Sequence, residues 1–371
     1  MSPSIILPPS LHILGSGSIG LLFASSIRRA LPTYPVTVLL RSGRGHEGRI
    51  TRKRCPSGVE YSGITAQVRY PNDESPVFNV DVPAEIISPD STTANLQETT
   101  KSIQNLLVAT KAPDAAAAVS SVLHRLDQNV ESNIIVLSNG AMGVRDEIQE
   151  LLLRGERCEV DDRHSQFETT ITLASTTHGA YRYTNEDSGH NDQTKSYSIV
   201  HAGIGSTFVE SQPMANLCEA TGLRATYASP DEMNILLWKK LATNCAINPL
   251  TAVHKCVNGE IANMDAKTRA TMDGIIKEVS LIARKDAAER GLSDDLIKEL
   301  GYESLVSFVN NVIRDTASNK SSMLQDVLAE RETEINYLNG YVARIGREKF
   351  GHECPFNEEM VIRIEALSVV K

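Results

Sequence analysis

The sequence predicts an α/β domain built on a mainly parallel sheet, followed by a domain made almost entirely of helices. Three observations support this fold class. Short apolar segments alternate with amphipathic ones over the first 229 residues, which is typical of parallel strands joined by right-handed crossover helices. The first apolar segment runs into a glycine-rich turn, and from residue 230 onward the pattern is helical. A chain of 371 residues also exceeds the usual size of one compact core, which favours two domains.

The elements of the first domain follow from local patterns. An apolar strand that ends at Gly15 precedes a helix from about Ser18 to Ala30, and residues 36–41 form a second strand. Residues 114–126 are predicted to be an alanine-rich helix with Asp114 as its N-cap. Further strands are predicted over residues 106–112, 133–140, 169–176 and 196–210. Two polar stretches, 88–102 and 183–198, are expected to be surface insertions without a catalytic role.

The boundary between the domains is predicted near residue 229, which gives domains 1–229 and 230–371. Ser229 is a good N-cap, Pro230 suits the first position of a helix, and Glu232 complements the helix dipole. From this point the pattern stays helical to the end of the chain.

Composition and charge narrow the class of protein. Hydrophobic residues make up 41% and charged residues 22% of the chain, as in ordinary globular enzymes. The net charge of −9 argues against a nucleic-acid partner. No apolar run is long enough to cross a bilayer and no signal peptide is recognisable, so we expect a cytoplasmic protein without a membrane partner. The six cysteines contain no CxxC pair, and no His/Cys set has the spacing of metal ligands, so we expect neither disulfides nor a metal.

Residues 15–20 carry the strongest local signal for a cofactor. They form a GxGxxG pattern between a predicted strand and a predicted helix, which indicates a Rossmann-type dinucleotide site. Gly15 permits the tight turn, Gly17 lets the backbone approach a pyrophosphate, and Gly20 allows close packing of helix and strand. The helix N-terminus offers N–H groups to the phosphates. The predicted cofactor-binding residues of this turn are Gly15, Ser16, Gly17, Ser18, Ile19 and Gly20. The alternative is a glycine-rich turn without a ligand.

The residue that ends the second strand predicts which dinucleotide binds. A site for NAD needs an acid there to bind the ribose 2′-hydroxyl, whereas this chain has Arg41, followed by Ser42 and Arg44. A guanidinium favours a 2′-phosphate by its charge and its bidentate geometry. NADP(H) is therefore the expected cofactor. Arg41 alone could also be a solvated cation at a strand end, but the absence of an acid at this position counts against NAD independently.

A second signal lies in the apolar segment LLWKKLATNCAINPLTAV, residues 236–253. Because a helix turns by about 100° per residue, steps of four place Lys240, Asn244 and Asn248 on one polar line beside an apolar stripe. Pro249 perturbs the helix just after Asn248 and frees backbone groups there. The alternative is the exposed face of an ordinary amphipathic helix. Amides are poor helix formers, however, and exposed faces more often carry Glu, Lys and Gln.

Several stretches of the chain occur together in a specific order. They are GSGSIG with Arg41, LLVATKA, LSNGAMG, LWKKLATNCAINPLTA, CVNGE and SSMLQDVLAERETEINYLNG. In this order, and over most of the chain, they resemble the ketopantoate reductases (2-dehydropantoate 2-reductases). The resemblance implies an N-terminal Rossmann domain that binds NADPH, a helical C-terminal domain, and a substrate site in the cleft between them.

The resemblance also implies roles for single residues. Lys240 corresponds to the family's catalytic lysine, and Glu334 to the acid paired with that lysine. Lys111 and Asn139 correspond to residues that border the nicotinamide and its ribose. The residues that correspond to the substrate-binding set are Asn244, Asn248, Asn319 and Ser322. Spacing alone does not distinguish Glu334 from a surface acid of the charged run around it.

The expected function is the NADPH-dependent reduction of 2-dehydropantoate to pantoate, in pantothenate and coenzyme A biosynthesis. Such a reduction needs a hydride donor, a proton donor at the developing alkoxide, and groups that hold the carboxylate of a small 2-oxo acid. Two alternatives stay open: a paralogue that reduces another branched 2-oxo acid, and a non-catalytic NADP(H)-binding regulator. The helices of the second domain are compatible with internal packing and with a homodimer interface, so the oligomeric state also stays open.

Overall fold

The computed structural model describes residues 6–42, 46–55, 58–70, 77–87, 102–126, 131–158, 169–183 and 196–369. Most of both predicted insertions lies outside the described residues, at 88–101 and 184–195, and so does Arg44. The chain divides into two compact units, Met1–Ala228 and Ser229–Lys371.

Unit 1 consists of strands and helices that alternate along most of its length. Its strands are β1 Leu11–Leu14, β2 Val36–Arg41, β3 Thr51–Arg54, β4 Glu60–Arg69, β5 Phe78–Ile87, β6 Asn105–Val108, β7 Ser132–Val136, β8 Thr169–Thr176, β9 Gly179–Arg182, β10 Tyr197–Gly203, β11 Thr207–Val209 and β12 Ala225–Tyr227. Its α-helices are α1 Ser18–Ala30, α2 Ala112–Ser120, α3 Ala141–Cys158 and α4 Gln212–Ala220. The predicted α/β class of the first domain is therefore confirmed.

The described strands pair in the order β12–β11–β8–β7–β6–β1–β2–β5–β4–β10–β9, and β3 pairs with β4. The centre of this sheet, from β8 to β5, is parallel, as the alternation of elements predicts. Antiparallel pairs occur only towards its flanks among the described strands. Strand β1 lies between β2, the next strand along the chain, and the later strand β6. The strand order thus reverses at β1, and open α/β sheets bind ligands beyond the carboxyl ends of the strands at such a point.

The core of unit 1 forms where the apolar face of α1 meets the sheet. Phe23 and Ile27 of α1 belong to one buried cluster with Ile13 of β1 and Val38 of β2. Leu107 of β6 joins the same cluster. This packing holds the first turn of α1 at the carboxyl end of β1, where the glycine-rich turn lies.

Several predicted boundaries in unit 1 were wrong. Strand β6 ends at Val108 and not at residue 112, because α2 begins at Ala112. The N-cap of α2 is Lys111 and not Asp114, since a proline at residue 113 suits the first turn of a helix and moves its start upstream. The same helix ends at Ser120, short of residue 126.

Two further predicted strands also differ from the structure. Strand β7 stops at Val136 and a turn follows, in which Gly140 has φ of +63°. The strand predicted over 196–210 is two strands, β10 and β11, because the chain turns between them at Gly205. A Cβ on Gly205 would lie 2.3 Å from the backbone of Thr177, so this turn accepts only glycine. Strands β3, β4, β5, β9 and β12 were not predicted. Strands β3, β9 and β12 are only three or four residues long, and β4 and β5 contain Gly63 and Pro83, which weaken a local strand signal.

Unit 2 is helical, as predicted. Its helices are α5 Pro230–His254, α6 Ala266–Glu289, α7 Asp294–Lys298, α8 Tyr302–Asp315, α9 Ser322–Leu328, α10 Asn339–Phe350 and α11 Pro355–Val369. Helix α5 begins with the predicted cap: the Ser229 N–H donates to Glu232 Oε2 at 2.8 Å, and the Glu232 N–H donates to Ser229 Oγ at 3.3 Å. None of the helices within the described ranges has the length and apolar character needed to span a membrane.

A buried carboxylate fixes α5 against its neighbours in unit 2. Asp286 of α6 accepts hydrogen bonds from Trp238 Nε1 at 3.1 Å and from Asn234 Nδ2 at 3.2 Å, both on α5. Arg290 and Lys349 neutralise its charge at 2.9 and 3.0 Å. Because these bonds join α5, α6 and α10, they set the rotation of α5 about its own axis, and hence the direction in which its polar line faces.

Candidate functional site

The candidate cofactor site of unit 1 lies at the carboxyl ends of four neighbouring strands. Strands β7, β6, β1 and β2 are adjacent and parallel, so the residues that follow them meet at one edge of the sheet. Ser138 Oγ donates to the Thr110 carbonyl at 2.8 Å and ties two of these ends together. The sequence-predicted residues at this edge are Arg41 after β2, Gly15, Ser16, Gly17, Ser18, Ile19 and Gly20 after β1, Lys111 after β6, and Asn139 after β7.

Of the three glycines in the segment after β1, the fold itself requires two. Gly15 has φ of +119°, and a Cβ there would lie 2.9 Å from the backbone of Ala109. A Cβ on Gly20 would lie 2.2 Å from the Gly15 carbonyl oxygen, so the packing of α1 against the turn excludes any side chain. The fold makes no such demand at Gly17, which has φ of −64°, and where a Cβ would meet only the Ala109 carbonyl at 3.8 Å within the described part of the chain.

The open backbone at Gly17 would let a phosphate approach the start of α1 closely. Gly17 is the N-cap of α1, and no side chain of the described residues caps that helix end. Backbone N–H groups at a helix N-terminus bind phosphate well, provided that no side chain keeps the phosphate away. The fold does not require a glycine at position 17, the N-terminus of α1. Close approach of a pyrophosphate does require one there.

Two residues beside this turn were missed from the sequence. Thr110 Oγ1 is buried after β6 and has no hydrogen-bond partner within the described ranges. Arg182 of β9 donates to the Ser16 carbonyl at 2.5 Å, while Ser18 Oγ donates to the Ala180 carbonyl at 2.9 Å. The signal for Thr110 is its place directly after an apolar strand, whereas Arg182 reaches the turn through a pairing that no local pattern indicates.

Arg41 lies at the end of β2, as predicted, but it does not lie there alone. Its Nη2 is 2.6 Å from Oδ1 of Asp114, in the first turn of α2. No acid follows β2 in the neighbouring sequence, but Asp114 reaches Arg41 from α2. In the folded domain, an acid is present at this position.

The polar line on α5 is the candidate catalytic element of unit 2. Helix α5 is continuous from Pro230 to His254, so Lys240, Asn244 and Asn248 lie one above the other on one face. Asn248 is buried, and Lys240 and Asn244 are only partly exposed. The polar line is therefore not the solvent-exposed face of an amphipathic helix.

Lys240 and Glu334 are brought together across unit 2. Burial lowers the pKa of Lys240 to about 8, and the negative charge of Glu334 opposes this effect by raising it. Glu334 is 8% exposed, whereas Glu330 and Glu332 in the same charged run are exposed. The structure thus separates Glu334 from its neighbours in sequence, which spacing could not do.

The proline in α5 has a defined partner. Pro249 has no N–H, so the Cys245 carbonyl lacks its usual helical donor. Asn339 Nδ2, at the start of α10, donates to that carbonyl at 3.1 Å and to Asn357 Oδ1 at 3.0 Å. A side chain 94 residues away therefore completes the helix between Asn244 and Asn248.

Asn319 and Ser322 lie around the start of α9, and both are exposed. The Asn319 carbonyl accepts from the Asn258 N–H at 3.0 Å. Ser321, the N-cap of α9, has its Oγ 2.7 Å from Thr251 Oγ1. Thr251 Oγ1 in turn donates to the Asn248 carbonyl at 2.9 Å. This chain of bonds ties the segment that carries Ser322 to the end of the polar line on α5.

Comparison with known families agrees with both units. Residues 11–210 match the family model described as ketopantoate reductase PanE/ApbA, and residues 232–367 match the model described as ketopantoate reductase PanE/ApbA C terminal. The chain belongs to the ketopantoate reductase family. The resemblance seen in the sequence is confirmed, and with it the assignment of the chain to a family of oxidoreductases.

Individual relatives support the same assignment. A 2-dehydropantoate 2-reductase of Vibrio cholerae is 33% identical over 274 residues, which cover 71% of this chain and 77% of the relative. A PanE/ApbA family ketopantoate reductase from Ralstonia eutropha JMP134 superimposes with a TM-score of 0.69 at 18% identity, over 97% of this chain and 98% of the other. A D-mandelate dehydrogenase, solved with NADH and anilino(oxo)acetate, gives 0.67 at 16% identity over the same shares. At such identities the two structures show the fold alone.

Proposed function

We propose that this member of the family reduces 2-dehydropantoate to pantoate with NADPH, as a step of pantothenate and coenzyme A biosynthesis. The observation that carries the proposal is the pairing of Lys240 with the buried Glu334, on the face of α5 that also presents Asn244 and Asn248. The Vibrio cholerae relative, a 2-dehydropantoate 2-reductase, supports the choice of substrate.

The residues at the sheet edge of unit 1 would hold the cofactor. The turn from Gly15 to Gly20 and the N-terminus of α1 suit the pyrophosphate, and Arg41 suits a 2′-phosphate. Lys111 and Asn139, which follow β6 and β7, would border the nicotinamide ribose. When bound, NADPH supplies the hydride for the carbonyl carbon of the substrate.

Lys240 is the proposed proton donor. Its ammonium stabilises the negative charge that develops on the carbonyl oxygen, and it then transfers a proton to that oxygen. A pKa of about 8 serves both tasks, since the group is largely protonated at neutral pH and still gives up a proton readily. Burial alone would lower the pKa further, so Glu334 acts by keeping Lys240 charged.

The neutral polar groups are proposed to hold the substrate. Asn244 and Asn248 offer amide N–H donors beside Lys240, and Asn319 and Ser322 offer further donors from the segment tied to the end of α5. They suit the substrate carboxylate and the distal hydroxyl of 2-dehydropantoate. A site that hydrogen-bonds the hydroxyl of its substrate rejects an analogue without that hydroxyl strongly.

The test is to follow the nicotinamide absorbance of NADPH and, in parallel, NADH with purified protein and 2-dehydropantoate. We expect rapid loss with NADPH and slower loss with NADH, and a large drop in kcat/KM for 3-methyl-2-oxobutanoate, which lacks the hydroxyl. Equal rates on the two oxo acids would contradict the substrate assignment and favour a reductase of another branched 2-oxo acid. Tight NADPH binding without turnover of any 2-oxo acid would favour a regulator.

A further inference from the structure

Arg41 and Asp114 form an ion pair at the carboxyl edge of the sheet in unit 1. Their side chains come from different elements, the end of β2 and the first turn of α2, and are 26% and 35% exposed. The pair is thus accessible to a ligand. Arg41 Nη2 is 2.6 Å from Asp114 Oδ1, so one side of the guanidinium fork is occupied by a carboxylate.

A ligand at Arg41 must therefore also meet Asp114. A phosphate bound to the same guanidinium lies close to the carboxylate, and the two anions repel each other. A ribose hydroxyl in that place is attracted to Asp114 instead, because it can donate a hydrogen bond to the carboxylate. This is the role that an acid at the end of β2 has in sites for NAD.

We propose that Asp114 is a residue that sets cofactor selectivity, and that it lowers the preference of this enzyme for NADPH over NADH. The inference rests on the proposed function, in which the adenosine ribose of the cofactor lies at Arg41. Arg41 attracts the 2′-phosphate of NADPH, and Asp114 opposes that attraction while accepting the 2′-hydroxyl of NADH. The site then combines both determinants, which dinucleotide sites usually carry separately.

Two other roles for Asp114 predict different behaviour. If the carboxylate only positioned Arg41 for the phosphate, its loss would weaken binding of phosphate. If Asp114 only stabilised α2 by lying near its N-terminus, its loss would change stability and leave nucleotide selectivity as it was. Asp114→Asn separates these roles, because the amide oxygen still accepts a hydrogen bond from Arg41 and only the charge is lost.

The experiment measures binding of two nucleotides to the full chain by calorimetry: adenosine 2′,5′-bisphosphate and 5′-AMP, which differ only in the 2′-phosphate. In Asp114→Asn we expect the affinity for the bisphosphate to rise roughly tenfold, because one negative charge beside the partly exposed 2′-phosphate is removed. The affinity for 5′-AMP should change little. The ratio of kcat/KM for NADPH to that for NADH should rise in parallel. Glu85→Gln is the matched control, since Glu85 pairs with Arg125 at 3.0 Å in the same unit, and it should leave both ratios unchanged.

The outcomes distinguish this inference from the function on which it rests. A wild-type preference for the bisphosphate that stays constant or falls in Asp114→Asn would overturn the role of Asp114 and leave NADPH as the cofactor. A wild-type protein that binds the two nucleotides equally would remove Arg41 from the 2′-phosphate site, and the role of Asp114 would be lost with it.

Discussion

Removal of the Asn339 amide should destabilise unit 2 by leaving two buried acceptors without a donor. Asn339, Asn357 and Cys245 are each 0% exposed, and the Asn339 amide nitrogen serves both the Cys245 carbonyl and Asn357 Oδ1. A buried polar group left unsatisfied costs about 1–3 kcal/mol. Asn339 Oδ1 is itself buried without a partner within the described ranges, so its removal offsets part of this cost. We expect Asn339→Ala to lower the free energy of unfolding by about 3 kcal/mol.

The role of the N–H that Pro249 lacks can be tested separately from the size of the stability loss in Asn339→Ala. Pro249→Ala restores the N–H that the Cys245 carbonyl lacks in α5, so the helix supplies its own donor. In that background, Asn339→Ala leaves only Asn357 unsatisfied and should cost about 1–2 kcal/mol less than in the wild-type protein. Asn336→Ala is the control, because Asn336 is exposed and bonds only Glu365 at 3.2 Å among the contacts described, and it should change stability by less than about 0.5 kcal/mol.

The assay is urea unfolding followed by circular dichroism, with the four proteins of the double-mutant cycle measured side by side. The asparagine effect should shrink when the proline is absent. If the effects of Asn339→Ala and Pro249→Ala were additive, the hydrogen bond to the Cys245 carbonyl would have no special link to the missing N–H. Asn339 would then not complete the helix between Asn244 and Asn248.

Other predictions concern the reaction. Lys240→Ala should lower kcat by roughly 10²- to 10⁴-fold with little effect on NADPH affinity. The control is Lys239→Ala, because the adjacent Lys239 pairs with Glu299. Equal losses of kcat in the two variants would refute the role of Lys240. In the wild-type protein, kcat/KM should fall as the pH rises through about 8, because the protonated lysine is the active form and is lost above its pKa. Glu334→Gln should move this fall to lower pH, because the charge that raises the lysine pKa is gone; an unmoved profile would exclude the pairing. Arg41→Asp should shift preference towards NADH, and an unchanged ratio of kcat/KM values for the two cofactors would remove Arg41 from the 2′-phosphate site.

Features of unit 1 that depend on neighbouring residues could be predicted well from the sequence. The glycine-rich segment from Gly15 to Gly20 joins β1 to the first turn of α1 as expected, because Gly15 and Gly20 are required by backbone atoms of the adjoining strand end and of the segment itself. The ends of the predicted strands were less accurate, since a helix cap or a turn, such as those at Lys111 and Gly205, decides where a strand stops. The short strands β3, β9 and β12 were missed because their pairing partners supply the stability that their own few residues lack.

In unit 2, the start of α5 and its polar line were readable because capping and helical periodicity act over three or four residues. By itself, the sequence thus determined the fold class, the glycine-rich turn and the face of α5 that carries Lys240. Only the tertiary structure decided that Asp114 meets Arg41, 73 residues earlier, and that Asn339 meets Cys245, 94 residues earlier. These contacts form between side chains whose separation is set by the order of strands and the packing of helices. No local propensity contains that information, and the selectivity and stability proposed here depend on it.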